Sequence, residues 1–452
     1  MMHPPAPPKQ WWADVAGGAA VLSVVVVIGL WLSHGGLRSL AGGDGPAMSV
    51  GRLTGLVAAD LLLLQVLLMA RVPWIERAYG QDRLARKHRL VGLWSFWLMV
   101  AHVVLITVAY AHSDGHGLLG EAWSLTTTYP GMLIAVVGTG LLVGVVALSI
   151  RAARRRLRYE SWHLLHLYAY LGVGLALPHE IWTGADFIAT PAARAYWWSA
   201  YALTLAAVLV FRVGMPIWRS AYHRLEVKRV VTEADGVVSV YLRGRHLDEL
   251  PVRAGQFFLW RFLDGPGWTR ANPYSLSAAP RKDLLRITVK NLGDGSQRLA
   301  RLRPGTRAFI EGPYGAMTGA VRRQRKVLLL AAGVGITAMR ALLDEVRPGS
   351  ATLVYRFSQP QDLVFRGELD AFATKRKTRV VYLEGPRGPD DSWLPAQLAH
   401  MGEVQAMRWL VPDLTAHDVF VCGPSAWMES VEATLRHAGV PDSQIHSEQF
   451  AW

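Results

Sequence analysis

The stretch WHLLHLYAYLGVGLALPHEIW, residues 162–182, decides how this chain is read. It is apolar, long enough to cross roughly 30 Å of hydrocarbon at about 1.5 Å per residue, and carries His166 near its start and His179 near its end. A counterpart lies upstream, KHRLVGLWSFWLMVAHVVLITVAY at 87–110, with His88 and His102. A polar ring inside lipid is costly unless something binds it, and neutral imidazole is the commonest metal-binding side chain. One membrane histidine is ordinarily bonded to a neighbouring helix. Two on each of two spans, 14 and 13 residues apart, point instead to paired ligands.

If the two helices run in the same direction, His88 faces His166 at one depth and His102 faces His179 at the other. That arrangement makes two six-coordinate haem sites roughly 20 Å apart along the helix axis. At about 100° per residue, His102 returns to within roughly 40° of His88, whereas His179 stands about 140° from His166. The second helix is therefore expected to be distorted, with Gly172, Gly174 and Pro178 as bend points. His163 is the rival ligand, and its spacing to His179 fits an ideal helix no better.

The chain has 452 residues, enough for more than one domain, and its apolar residues crowd into the first 217 positions. Six apolar segments can be counted, about 13–33, 50–72, 89–111, 129–150, 161–182 and 196–217, the first read as retained and not as a cleaved signal peptide. A net charge of +14 would fit nucleic acid, but the basic residues sit in short loops between apolar spans, where they set membrane orientation, so no nucleic-acid partner is expected. The loop 71–89 carries Arg71, Arg77, Arg83, Arg86, Lys87 and Arg89. The loop 151–158 carries Arg151, Arg154, Arg155, Arg156 and Arg158, and the alternate loops hold only Arg38 and Arg194. The basic loops and the N-terminus are therefore expected in the cytoplasm, which makes spans three and five parallel. The single cysteine, Cys422, excludes an intramolecular disulfide and a Cys-ligated iron–sulfur cluster. Asp60 lies inside the second span as a functional or packing carboxyl; Arg52, at that span's outer end, is a haem-propionate partner or an interfacial anchor. The outer loop AHSDGHG, 111–117, is read as a solvated turn ahead of a metal trap.

Beyond position 220 the pattern changes. VVSVYLRG, GQFFLWRF, LLRITVKN and TRAFIEG alternate like short strands between Gly and Pro turns, which predicts a small antiparallel barrel. From 326, KVLLLAAGVGITAMRALLDEV and the strands ATLVYRF, RVVYLEG and DVFVCGP predict a parallel sheet with helices on its faces. In AAGVGITAM, Gly333 and Gly335 leave room for a pyrophosphate at a helix N-terminus, although Ala338 stands where a third glycine would complete the pattern. CGPSAWM puts a second Gly-Pro at a strand's carboxyl edge.

NPYSLS, KNLGDGS, GPYG, AGVGIT, CGP and the terminal SEQF resemble, in this order, the ferredoxin-reductase type of flavin and nicotinamide module. Joined to six spans with paired histidines, the arrangement resembles the ferric reductase and NADPH oxidase superfamily. The resemblance implies a multidomain fold: an all-α six-helix transmembrane bundle over 1–220, an antiparallel β-barrel flavin domain over 221–321, and an α/β Rossmann-like nucleotide domain over 322–452. It implies FAD held by Pro273, Tyr274, Ser275 and Ser277, with Tyr274 against the isoalloxazine and Ser275 near its reactive nitrogen. Lys290, Gly295 and Ser296 would hold the flavin phosphates. Gly333, Gly335 and Thr337 would bind the nicotinamide nucleotide, with Cys422, Gly423 and Pro424 placing its ring. Phe450 stands where the family keeps an aromatic over the flavin, with Trp452 as its rival. Asn272 departs from the usual Arg or His, and Arg270 is the candidate to supply that charge. Arg356 and Ser358, after LVYRF, would read a ribose phosphate and favour NADPH over NADH.

A hydride carries two electrons and a haem iron accepts one, so a flavin must divide the pair. The expected function is a relay in a bacterial cell membrane, from cytoplasmic NADPH to FAD, through two b-type haems, to an acceptor outside. A ferric chelate or other metal ion is the first choice of acceptor, oxygen the second, and a periplasmic protein partner the third. Animal oxidases of the superfamily keep a histidine one turn after the outer ligand, whereas this chain has Ile106. A nucleotide-gated six-span channel is the reading from another class, and no selectivity-filter sequence or inverted repeat supports it.

Overall fold

In the computed structural model, which describes residues 11–40, 45–150, 159–265, 267–388 and 392–448, the chain divides into two units. One is helical, the described residues of 11–75 and 83–212. The other holds residues 76–82 and those described from 213 onward. The basic run 151–158 and the aromatic residues Phe450 and Trp452 lie outside the described residues.

Among the described residues, five helices are long and apolar enough to cross a membrane: Trp11–Ser33, Gly45–Met69, Arg83–Asp114, Met132–Ser149 and Pro191–His223. The expected six spans become five by length and composition. The remaining segment is a helix, Tyr159–Trp182, but His163, His166, His179, Glu180 and Pro178 lower its apolarity below that of the five. We label the principal helices α1 (Trp11–Ser33), α2 (Gly45–Met69), α3 (Gln81–Asp114), α4 (Met132–Ser149), α5 (Tyr159–Trp182) and α6 (Pro191–Ala207). Helices α3 and α5 meet twice. The rings of His88 and His166 are 5.9 Å apart, and His102 and His179 lie within electrostatic reach of one another, so the two helices run in the same direction. Small residues bring α5 onto α4: a Cβ at Gly138 would stand 2.7 Å from the Gly172 carbonyl oxygen. Gly172 thus serves close packing, and Pro178 lies inside a helix that continues to Trp182.

The second unit begins with six antiparallel strands, β1 (Glu226–Ala234), β2 (Val237–Arg243), β3 (Phe257–Phe262), β4 (Asn272–Ser275), β5 (Leu284–Lys290) and β6 (Ala308–Tyr314). They form two three-stranded sheets, β1-β2-β5 and β4-β3-β6, the strands of the expected antiparallel barrel. The sheets meet at two seams, bridged at Glu226 with Arg307 and at Leu276 with Ile287. Strand β4 is four residues long and contains Pro273, which has no N–H to extend a ladder. Phe258, Trp260, Leu276 and Ile287 fill the space between the sheets.

The five-stranded parallel sheet follows in the order β11-β10-β7-β8-β9, from β7 (Lys326–Ala332), β8 (Ala351–Phe357), β9 (Arg379–Glu384), β10 (His417–Cys422) and β11 (Ile445–Ser447). Its helices include α7 (Ile336–Glu345), α8 (Arg366–Arg376) and α9 (Ser425–His437). The unbroken run LLLAA suits a strand covered on both faces. Leu329 and Ala331 enter one core with Met339 and Leu342, while Leu328 and Leu330 enter the other with Trp427 and Val431. Each such leucine contributes about 1.5–3 kcal/mol of burial. The chain leaves β7 first towards β8 and β9, then returns to β10 on the other side, so strand order reverses between β7 and β10. Ligands of open α/β sheets bind outside the carboxyl ends of the strands at such a reversal.

Candidate functional site

At that reversal the two glycine motifs meet. Gly333 takes φ +54°, which favours glycine, and opens the turn into α7. A methyl group on Gly335 would overlap the Cys422 carbonyl and stand 2.9 Å from the Gly423 nitrogen. One on Gly423 would stand 2.9 Å from the Ala332 side chain. Both glycines therefore let two strand ends converge, and Thr337 is buried one turn further on. Pro424 and Ser358 are exposed at the same edge. Cys422 is fully buried, and burial pushes its thiol well above the ordinary range, so it is no thiolate nucleophile. Arg356, the next-to-last residue of β8, is the more informative group. It is 6% exposed, and its Nε and Nη2 are buried without a hydrogen-bond partner. Burial, and then the nearby Arg387, hold its guanidinium below its usual range. A buried cation with unused donors is costly unless an anion arrives.

The flavin-type motifs converge on β4 and β5. Tyr274 pairs with Phe258 across β3 and β4, its carbonyl accepts from Trp260 Nε1 at 3.0 Å, and burial raises its phenol well above the ordinary value. Ser275 is buried beside it. A Cβ on Gly295 would lie 3.3 Å from Asn272 Oδ1, so NPYSLS and KNLGDGS come together although 18 residues separate Ser277 from Gly295. Pro273 is half-buried and Arg270 exposed. Ser296 caps its own turn, accepting from the Leu292 N–H at 2.8 Å. Ser277 is fully buried, its hydroxyl accepting from Thr288 at 2.7 Å and Arg286 at 3.1 Å. Lys290 reaches Asp362 at 3.1 Å, linking β5 to the nucleotide-type domain.

In the helical unit all four histidines use the same ring nitrogen. Nδ1 of His88 stands 3.1 Å from the Gln65 carbonyl, Nδ1 of His102 2.8 Å from that of Gly51, and Nδ1 of His179 2.5 Å from that of Ala176. A carbonyl only accepts, so Nδ1 carries the proton in each. His166 Nδ1 is 3.3 Å from Ser149 Oγ, whose own proton goes to the Val145 carbonyl at 2.7 Å, so this ring also donates. Every Nε2 is left with its lone pair, the form that a metal-binding imidazole takes when a backbone oxygen holds its other nitrogen. Two imidazoles bound end-on to one metal at about 2 Å have ring centroids roughly 6 Å apart, and His88 and His166 stand at 5.9 Å. Gly55 supports His102 from below: a Cβ there would lie 2.8 Å from its Cε1 and 2.9 Å from its Cγ. Gly55→Ala is therefore expected to displace the His102 ring, and the position and intensity of the haem bands of the purified variant, compared with wild type, would report it.

Other polar groups here were only partly foreseen. Asp60 Oδ1 accepts from Ser23 Oγ and from Tyr196 Oη, both at 2.6 Å, joining α1, α2 and α6. Arg52 is bidentate on Asp186, at 2.8 and 2.6 Å. Tyr201 donates to the buried Glu180, the residue after His179. Asp114, His116 and Glu121 bring ligand-type atoms within 4.8 Å of one another in and just after AHSDGHG. Sequence reasoning missed Glu368, which binds both Arg286 and Arg340 and so ties β5 to α7 and α8. Burial alone would raise its carboxyl, but Arg286 and Arg340 hold it below the ordinary value.

Two family models match. Residues 54–177 match the ferric reductase like transmembrane component, and residues 329–433 match the oxidoreductase NAD-binding domain. The ferredoxin reductase component of 3-ketosteroid-9-alpha-monooxygenase from Mycolicibacterium smegmatis is 32% identical over 237 residues, which are 50% of this chain and 64% of that protein. The chain thus spans just under two thirds of that relative's length. Ferredoxin–NADP reductase B of Sorangium cellulosum is 30% identical over 205 residues, 41% of this chain and 80% of that protein. The flavohem-like FAD/NAD binding domain of nitric oxide dioxygenase from Vibrio cholerae O1 biovar El Tor is similar with TM-score 0.41 and 23% identity, over 50% of this chain and 98% of that one.

Proposed function

Because the chain belongs to the ferric reductase and NADPH oxidase superfamily, a ferric-reductase-like membrane domain joined to a ferredoxin-reductase-type module, we propose that it carries electrons from cytoplasmic NADPH across the membrane to an external ferric chelate or other metal ion. The observation that carries this reading is the set of four histidines on two parallel helices, each with Nδ1 bound and Nε2 free. His88 with His166, and His102 with His179, would hold two b-type haems. Tyr274, Ser275, Gly295 and Ser296 would hold FAD; Gly333, Gly335, Thr337 and Arg356 would hold NADPH. When bound, the flavin supplies the exchange between a two-electron hydride and single electrons.

The chain's own part is positional. Backbone carbonyls fix the ring tautomers of His88, His102 and His179, and the Ser149 hydroxyl that of His166, so the ligand nitrogens need no reorganisation. Because His102 and His179 would both be committed to holding the outer haem, an acceptor would be reduced without bonding to its iron. Residues 76–82 pack with the flavin and nucleotide module: Glu76 and Gln81 are buried, and Gly80 faces Ala316. They belong to the basic loop assigned to the cytoplasm, which supports a cytoplasmic module. The purified full chain, made with ample haem supply, should show a Soret band and reduce ferric chelates with NADPH. A colourless protein would overturn the proposal.

Arg356 supports NADPH as the donor, since its unpaired donors suit a phosphate. Arg356→Gln should raise KM for NADPH about tenfold, the value of one or two charge-assisted hydrogen bonds, and leave KM for NADH nearly unchanged. Steady-state dye reduction with each nucleotide measures this; an equal change for both would argue against the assignment.

A further inference from the structure

A cavity of about 610 Å³ lies between the β1-β2-β5 sheet and helices α7 and α8, away from the carboxyl edge of the parallel sheet. Six cations line it, Arg229, Arg281, Arg286, Arg340, Lys375 and Arg376, against two carboxylates, Asp344 and Glu368. The carboxylates are already committed. Glu368 binds Arg286 and Arg340, while Asp344 takes a second bond from Arg340 at 2.5 Å and one from the Ala279 N–H at 2.9 Å. Arg376 donates to the carbonyls of Asp344 and Val346. Arg229, Arg281 and Lys375 have no carboxylate partner among the described residues, so the cavity keeps an uncompensated positive rim. Its walls are partly aromatic: the Arg229 guanidinium lies 4.3 Å from the centroid of Tyr241, and that of Arg340 lies 4.9 Å from that of Phe372.

These features define what would fit. The volume suits a small organic molecule. Unpaired guanidinium and ammonium groups favour phosphate oxygens, and Arg offers them paired donors. We propose that this cavity is a second, non-substrate site for a phosphate-bearing small molecule, distinct from the nicotinamide-nucleotide site at Gly333, Gly335 and Arg356. Its floor is the Arg286, Glu368 and Arg340 network that links β5 to α7 and α8. A bound phosphate competes with Glu368 for those guanidinium groups and thereby reaches the contact between the flavin-type and nucleotide-type domains. A free nucleotide and an anionic phospholipid headgroup share this chemistry.

The test uses the FAD-loaded full chain in detergent with excess NADP+ to fill the nicotinamide site. Equilibrium dialysis measures radiolabelled ADP in one arm and radiolabelled short-chain phosphatidylglycerol in the other. Binding of either probe should persist with NADP+ present and weaken at least about tenfold in the combined variant Arg229→Glu, Arg281→Glu, Lys375→Glu. NADPH-to-dye reduction without probe should be unchanged in that variant, which also shows that it folds. The arm that binds identifies the source. Neither probe binding, complete displacement by NADP+, or binding unaffected by the charge reversals would each overturn the proposal. None of these readouts needs haem or an external acceptor, so the site fails or stands apart from the electron-transfer reading.

Discussion

Replacing His102 with alanine is expected to reduce NADPH-driven reduction of an external ferric chelate to the level of membranes that lack the protein, while NADPH-to-dye reduction by the flavin module continues at its original rate. The reason lies in the ring's surroundings. The Gly51 carbonyl fixes Nδ1, and Gly55 leaves space for the ring. Alanine at 102 supplies neither a ligand atom nor a substitute donor for that carbonyl, and the nearest histidine on the same helix, His112, is exposed ten residues further on. Nothing in the module that receives NADPH is altered. Parallel assays with an impermeant ferric chelate outside and a flavin-reducible dye inside separate the two activities, and loss of both together would argue against a linear relay.

The second large effect is expected from Gly335→Ala. The added methyl would overlap the Cys422 carbonyl, and both neighbours are backbone at the junction of β7 and β10, where no side chain can swing aside. Overpacking of this kind costs about 1–3 kcal/mol when the surroundings can shift, and more where they cannot. The strand ends that should receive the nucleotide are forced apart, so NADPH-dependent dye reduction is expected to fall at least about tenfold. Flavin should still be retained, because Asn272 and Tyr274 are on β4 and Gly295 lies in the helical turn after β5. Thermal unfolding of the purified variant, with flavin absorbance measured on the same sample, checks both halves. An unchanged KM for NADPH would show that the turn relaxes without consequence.

The β7 to β10 sheet was legible because a strand covered on both faces is apolar throughout, and VLLLAA has no competing helical period. Strand β4 was not legible as a strand: NPYS is short and begins with residues typical of turns, and its place is set by pairing with β3. The division of the six strands into two sheets was not legible either, since alternation identifies strands but not the hydrogen bonds between sheet edges. The histidine pairs could be read from spacing. The carbonyls that fix their tautomers could not, because Gln65 and Gly51 are on a helix whose sequence carries no sign of which oxygens will be shared. Helix α5 shows the opposite case. Its histidines made it the organising element, and they also lower its apolarity below that of the other spans. Glu368 was invisible for a plainer reason: an acidic residue in RGELDAF looks like an ordinary solvated helix face.

Residues 76–82 come early in the chain yet belong to the unit that otherwise starts near position 213. The two units are therefore interleaved, and no single proteolytic cut divides them cleanly. A soluble fragment beginning at Val213 would lack this strap and bare the surface beside Ala316 that Gly80 faces. Such a fragment should be less heat-resistant than the same region within the intact protein, and adding a peptide that spans 73–84 should restore part of the difference.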